Sequence, residues 1–180
     1  NVEPRKNQLN LARVCRALKK QLLLVGGVRD GVYLHQCLTE GAGYVHHLGR
    51  LEHDSPLLKS AYEACDAHVL ASQFETPGLA NLEAAALGAK IVSTSGGSTR
   101  EYFQEHAHYV DPQCLDSIRG GIEAALADTA DAKARGKHII ENFTWRQAAE
   151  QTLAAYEHVL GRSQTKSQAQ RPSLFNNQAA

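Results

Sequence analysis

Apolar residues in this chain fall into short unbroken runs, separated by longer stretches in which they recur every three or four positions. Residues 22–25, LLLV, are closed by Gly26 and Gly27, which is the pattern of a strand covered on both faces. Residues 44–48 and 68–71 repeat it, as do the residues between Gly88 and Ser93, while Tyr109 and Val110 close a last short strand. Helical spacing fills the intervals. Residues 7–20 place Leu11, Val14, Cys15 and Leu18 on one face, behind Asn7 as a candidate N-cap. Further helices are expected over 30–38, behind the Ser55 cap and first-turn Pro56, and between Gly78 and Gly88. Ser98 with Glu101 three residues on has capping-box spacing, and three more helices are predicted over 115–127, 130–141 and 145–160.

Five strands alternating with helices predict one α/β domain over residues 1–160, a doubly wound, Rossmann-like parallel sheet with helices on both faces. In such a fold ligands sit at the carboxyl ends of the strands. Gly26, Gly49, Glu75 and Gly96 all fall there. Residues 161–180 are rich in Gln, Ser and Asn, and a disordered polar tail is expected.

Composition narrows the partners. The 19 Lys+Arg match 19 Asp+Glu, so no nucleic-acid partner is expected and any anion binding must be local. No apolar run approaches the roughly 20 residues of a membrane helix, and neither a transmembrane segment nor a secretory signal is expected. Cys15, Cys37, Cys65 and Cys114 are widely spaced without a CxxC and read as reduced thiols of a cytoplasmic protein. His46, His47 and His53 lack metal-binding spacing, and no metal site is expected.

The candidate chemistry lies around residues 69–93. A strand leads into a loop carrying Glu75, then into a helix that opens near Gly78 and carries Glu83. The N-terminus of such a helix is a natural anion site. Arg5 and Lys6 precede the first turn of their own helix, where the macrodipole disfavours cations, and this suggests an anionic ligand beside them. The plainer readings are a solvated helix face for Glu83, surface charge for Arg5 and Lys6, and a helix N-terminal charge for Glu75.

The run ETPGLANLEAAALGAKIVST, with its Glu-x7-Glu spacing, resembles the signature of retaining glycosyltransferases of family 4, whose two Rossmann-like domains face each other across a cleft (GT-B type). EPRKNQ, LLLVGG, YVHHLGRL, GGSTREYF with YVDP, and the closing FTWRQAAEQTLAAYEHVL extend the resemblance over residues 1–160. The resemblance implies that Lys6 and Arg5 hold a diphosphate, that Glu75 takes hydroxyls of the donor sugar, and that Glu83 takes the ribose. These make Glu75, Lys6 and Arg5 the catalytic candidates. The backbone of Gly78, Leu79 and Ala80 would meet the sugar, residues 48–50 including Gly49 and Arg50 would border the base, and the turns at Gly26 and Gly97 would lie beside the donor. No cofactor is implied, because the nucleotide-diphosphate sugar is itself the donor substrate. Thr76 and Pro77 depart from the glycine and aromatic residue usual there, and Asn1 stands where the family has an arginine.

The implied activity is transfer of a hexose from a UDP- or GDP-sugar to a hydroxyl acceptor. The acceptor domain of such enzymes, and the strand ahead of the basic pair, do not precede Asn1. The chain is therefore expected to be the C-terminal donor-binding part of a longer enzyme, with its first strand truncated, a gap in its sheet, and little activity alone. Any membrane contact would belong to the absent half. The alternative is a nucleotide- or phosphate-binding Rossmann-like module without catalysis. A sugar-nucleotide epimerase would need a further acid/base constellation.

Overall fold

The computed structural model describes residues 1–161. It contains two compact units, residues 1–143 and the segment from Thr144 onward. In the first, five parallel strands, β1 (Leu22–Val25), β2 (Val45–Gly49), β3 (His68–Leu70), β4 (Ile91–Thr94) and β5 (Ala107–Val110), alternate with helices. These are α1 (Gln8–Ala17), α2 (Gly31–Glu40), α3 (Pro56–Ala64), α4 (Leu79–Ala86), α5 (Thr99–Phe103), α6 (Leu115–Ala127) and α7 (Ala132–Asn142). The second unit holds α8 (Trp145–Val159), opened by a capping box in which Thr144 and Gln147 satisfy each other's backbone. The expected tail lies, Gly161 apart, outside the described residues. Among the described residues no helix is long and apolar enough to cross a membrane.

The strands form two ladders, β1-β2 and β3-β4-β5, and no strand pairing joins them among the described residues. A break in the sheet is what the sequence leads one to expect. Every residue of β4, the central strand of its ladder, is buried, as its unbroken run requires. Helix α1 packs against both parts of the core. Leu11, Val14 and Cys15 meet Ala71, Val92, Val110 and Ile118, whereas Ala12 joins Leu24, Tyr33, Cys37 and Val45. A third cluster sets Ala84 and Ala85 of α4 against Ile91, Phe103 and Ile139.

Two capping expectations are corrected. Asn7 precedes α1, but its side chain makes no cap; the residue is left-handed at φ +60° and its amide reaches two distant carbonyls. Ser98 precedes α5 without a side-chain cap, because its loop is organised by backbone bonds to Glu75 instead. Ser55 caps α3 as expected, accepting from the Leu57 N–H at 3.2 Å.

Candidate active site

The site is stitched together by hydrogen bonds to backbone carbonyls. Pro4, Arg5 and Lys6 form a single 3-10 turn that ends at the left-handed Asn7. The Asn7 amide donates to the carbonyls of Ala71 at 2.9 Å and Pro112 at 2.8 Å, which ties the basic pair to the chain leaving β3 and β5. The Gln73 N–H donates to the Arg5 carbonyl at 2.9 Å. On the other side of the Glu75 loop, the Glu75 N–H donates to Gly96 and the Ser98 N–H to Glu75, at 3.2 and 3.1 Å. Gly97 bridges Glu75 at φ +93°, and a Cβ there would collide with the Glu75 carbonyl. Only glycine permits so close an approach.

This frame brings Lys6, Arg5 and Glu75 into one cluster. The Lys6 ammonium donates to Glu75 Oε1 at 2.5 Å, and the Arg5 guanidinium lies 3.9 Å from the same oxygen while donating to the Phe74 carbonyl at 3.1 Å. Glu75 is buried, 7% exposed, and its charge is compensated where a lone carboxylate would be costly. Glu3 pairs with both Arg5 and Arg29 at 3.4 Å. The connected network therefore sets three cations against two carboxylates and retains net positive charge. Gly78, left-handed at φ +65°, opens α4, and no side chain caps that helix. The first-turn N–H groups of Leu79 and Ala80 thus have no intrahelical acceptor.

Glu83 belongs to a different part of the site. It stands one turn into α4, and its carboxylate meets α3 and the loop before it: the Tyr62 hydroxyl donates to Oε2 at 2.9 Å, and His53 Nδ1 lies 3.6 Å from Oε1. An open groove of about 240 Å³ runs beside it, lined by His53, Leu58, Lys59, Tyr62, Glu83 and Leu87. A larger groove of about 570 Å³ between α4 and α7 contains none of the candidate residues. Beneath Tyr62 the ring of His68 is packed edge-on at 5.4 Å. Burial holds the His68 pKa below its ordinary value, and Nδ1 bonds Asn81 Oδ1 at 2.9 Å while the Asn81 amide donates to Ser93 at 3.0 Å.

The remaining expected positions fall elsewhere on the same edge. The Gly26 N–H donates to the Gly49 carbonyl at 2.8 Å, and His47 Nε2 bonds the Gly26 carbonyl at 2.8 Å, joining the ends of β1 and β2. Arg50 is exposed and pairs with Glu52 at 3.6 Å, not with the Lys6–Glu75 cluster. Among the described residues no three His, Cys, Asp or Glu side chains converge as metal ligands. The cysteines are free thiols, Cys15 and Cys37 buried and Cys114 exposed. Sequence reasoning missed Asn7 as a tether and Tyr62 as the partner of Glu83. The signal for Asn7 was its residue type, since asparagine is among the few residues that occupy the left-handed region readily. Tyr62 gave none, because its partner is 21 residues away.

Residues 1–142 match the family described as glycosyl transferases group 1. The chain belongs to that family. This group 1 glycosyl transferase is 31% identical over 170 residues to O-antigen chain mannosyltransferase B of Escherichia coli, covering 87% of the chain and 44% of that protein. It superposes on sucrose-phosphate synthase from Thermosynechococcus elongatus with a TM-score of 0.77 at 25% identity, over 90% of the chain and 44% of the synthase. It superposes on HepE of Anabaena, solved in complex with UDP and glucose, with a TM-score of 0.67 at 21% identity, over 86% of the chain and 46% of HepE. The fold is thus the Rossmann-like domain of GT-B glycosyltransferases, and the chain spans less than half the length of the curated relative.

Proposed function

We propose that this chain is the C-terminal, donor-binding domain of a retaining family 4 glycosyltransferase that moves a hexose from a UDP- or GDP-sugar to a hydroxyl acceptor. The observation that carries this reading is the meeting of Lys6 and Arg5 with Glu75 beside the uncapped start of α4. A diphosphate leaving group gains negative charge as the glycosidic bond breaks, and preorganised cations with helix N–H groups stabilise that charge without reorganisation. Lys6 and Arg5 hold the diphosphate, Glu75 and the backbone of Gly78, Leu79 and Ala80 hold the sugar, and Glu83 accepts from the ribose. Gly49 and Arg50 border the base, with Gly26 and Gly97 beside the donor.

The acceptor oxygen attacks the anomeric carbon on the face the diphosphate leaves. The carbon–oxygen bond to the diphosphate breaks, and the acceptor proton passes to the departing phosphate oxygen. The configuration is kept. The acceptor is held by a second domain, so the chain alone binds donor without appreciable transfer. Its free thiols suit the reducing cytoplasm.

Calorimetric titration of the chain with UDP, GDP and their hexose conjugates tests the assignment. UDP is the first ligand to try, since a protein of the same fold was solved with UDP and glucose. Lys6→Ala and Glu83→Ala are each expected to weaken binding at least tenfold, about 1.4 kcal/mol. Absence of nucleotide binding by the unaltered chain, or equal binding by both variants, would overturn the reading.

A further inference from the structure

The two carboxylates of the site are held by different means. Glu75 is buried and ion-paired to Lys6. Glu83 is partly exposed at a groove, where a flexible carboxylate would sample several rotamers and lose side-chain entropy on meeting a ligand. Two groups meet it: the exposed His53 ring lies 3.6 Å from Oε1, and the closer restraint is a phenol. The Tyr62 hydroxyl donates to Oε2 at 2.9 Å, and that phenol cannot wander. Its ring is packed against His68 with the planes at 68°. His68 is fixed in turn through Nδ1 by Asn81, whose own amide is committed to Ser93. The series from Ser93 of β4 through Asn81, His68 and Tyr62 to Glu83 links the strand floor to the carboxylate.

We infer that Tyr62 is a positioning residue: it orients Glu83 so that Oε1 and the second lone pair of Oε2 face a vicinal diol, the ribose of the nucleotide. This rests on the donor-binding reading above. The arithmetic of lone pairs supports it. An ionised carboxylate offers about four acceptor positions; the phenol occupies one and, unlike a cation, leaves the negative charge in place for the two hydroxyls. Burial and the Glu83 bond push the phenol's pKa well above its ordinary value, which keeps it a donor across the physiological range. Its place on α3 also makes the hold independent of the Lys6–Glu75 cluster.

The test compares two ligands on each protein: the nucleoside diphosphate that binds, UDP or GDP, and its 2′,3′-dideoxy analogue. The unaltered chain is expected to prefer the ribonucleotide, and Glu83→Ala to abolish the preference. Tyr62→Phe, which keeps the ring on His68, is expected to reduce the preference about tenfold through loss of the ribonucleotide alone, leaving the dideoxy affinity unchanged. Since both ligands are titrated into the same sample, a lower folded fraction cancels from the ratio. If Tyr62→Phe keeps the full preference while Glu83→Ala loses it, the role of Tyr62 is refuted and the donor reading stands. If the unaltered chain binds neither nucleotide, the donor reading itself fails.

Discussion

Asn7 ties the basic pair to the rest of the domain by two separable means, so substitutions there give a ranked outcome. It sits at φ +60°, and its amide nitrogen serves the carbonyls of Ala71 and Pro112 at 2.9 and 2.8 Å. Asn7→Gly tolerates the left-handed backbone but forfeits both bonds, at about 1 kcal/mol each, so a loss of about 2 kcal/mol is expected. Asn7→Ala loses the same bonds and adds about 1–2 kcal/mol for a Cβ in the left-handed region. Asn7→Asp keeps size and backbone tolerance but loses both bonds and turns an unpaired carboxylate toward two carbonyl oxygens, and is expected to be the least stable, about 5 kcal/mol or more below the parent. Urea unfolding followed by circular dichroism measures all three, with the order Gly above Ala above Asp. An aspartate variant as stable as the glycine variant would show that the side chain does not donate to these carbonyls. Alanine equal to glycine would refute the positive φ.

Two other outcomes follow from the same geometry. Gly97→Ala combines a positive φ of 93° with a Cβ that meets the Glu75 carbonyl, so it is expected to cost about 2–4 kcal/mol by urea unfolding; an unchanged midpoint would show that the Glu75 loop is free to move. His68 is half-buried, and desolvation beneath Tyr62 depresses its pKa from 6.5, so the unfolded chain takes up its proton at higher pH than the folded one. The stability associated with neutral His68 is complete above about pH 6.5 and is lost as pH falls toward the folded value, at up to about 1.4 kcal/mol per pH unit. Melting temperature measured from pH 7.5 to 5 should fall less steeply in His68→Gln than in the parent, and identical slopes would refute it.

The elements were legible because short β-branched and aliphatic runs, and helices punctuated by Gly and Pro, are local signals. The run of residues 22–25 is β1 with the bounds expected, although Leu23 is exposed and the strand is not covered on both faces, and Ser55 caps α3 as its residue type suggested. Where partners are distant in sequence, residue type misled. Asn7 reads as an N-cap and Ser98 opens a capping-box spacing, yet each gives up the local bond, since contacts to the ends of β3 and β5 or to the Glu75 loop satisfy the backbone there. Of the expected site, Lys6, Arg5, Glu75 and Gly97 form one connected cluster, whereas Arg50 points to Glu52 at the surface. Its side chain is long and exposed, and nothing local in the sequence orients it.

By itself, the sequence determined the alternation of parallel strands and helices, the edge at which the glycine turns and carboxylates gather, and the unequal positions of Glu75 and Glu83. These follow from periodicity and turn chemistry, which act over a few residues. Only the tertiary structure decided which charges pair. It closed Lys6 onto Glu75 across 69 positions of chain, set Glu83 against the Tyr62 hydroxyl, and made Gly97 the place where two backbones touch. Such choices depend on packing between elements, and hydrogen bonds across long sequence separations leave no periodic trace in the residues that make them.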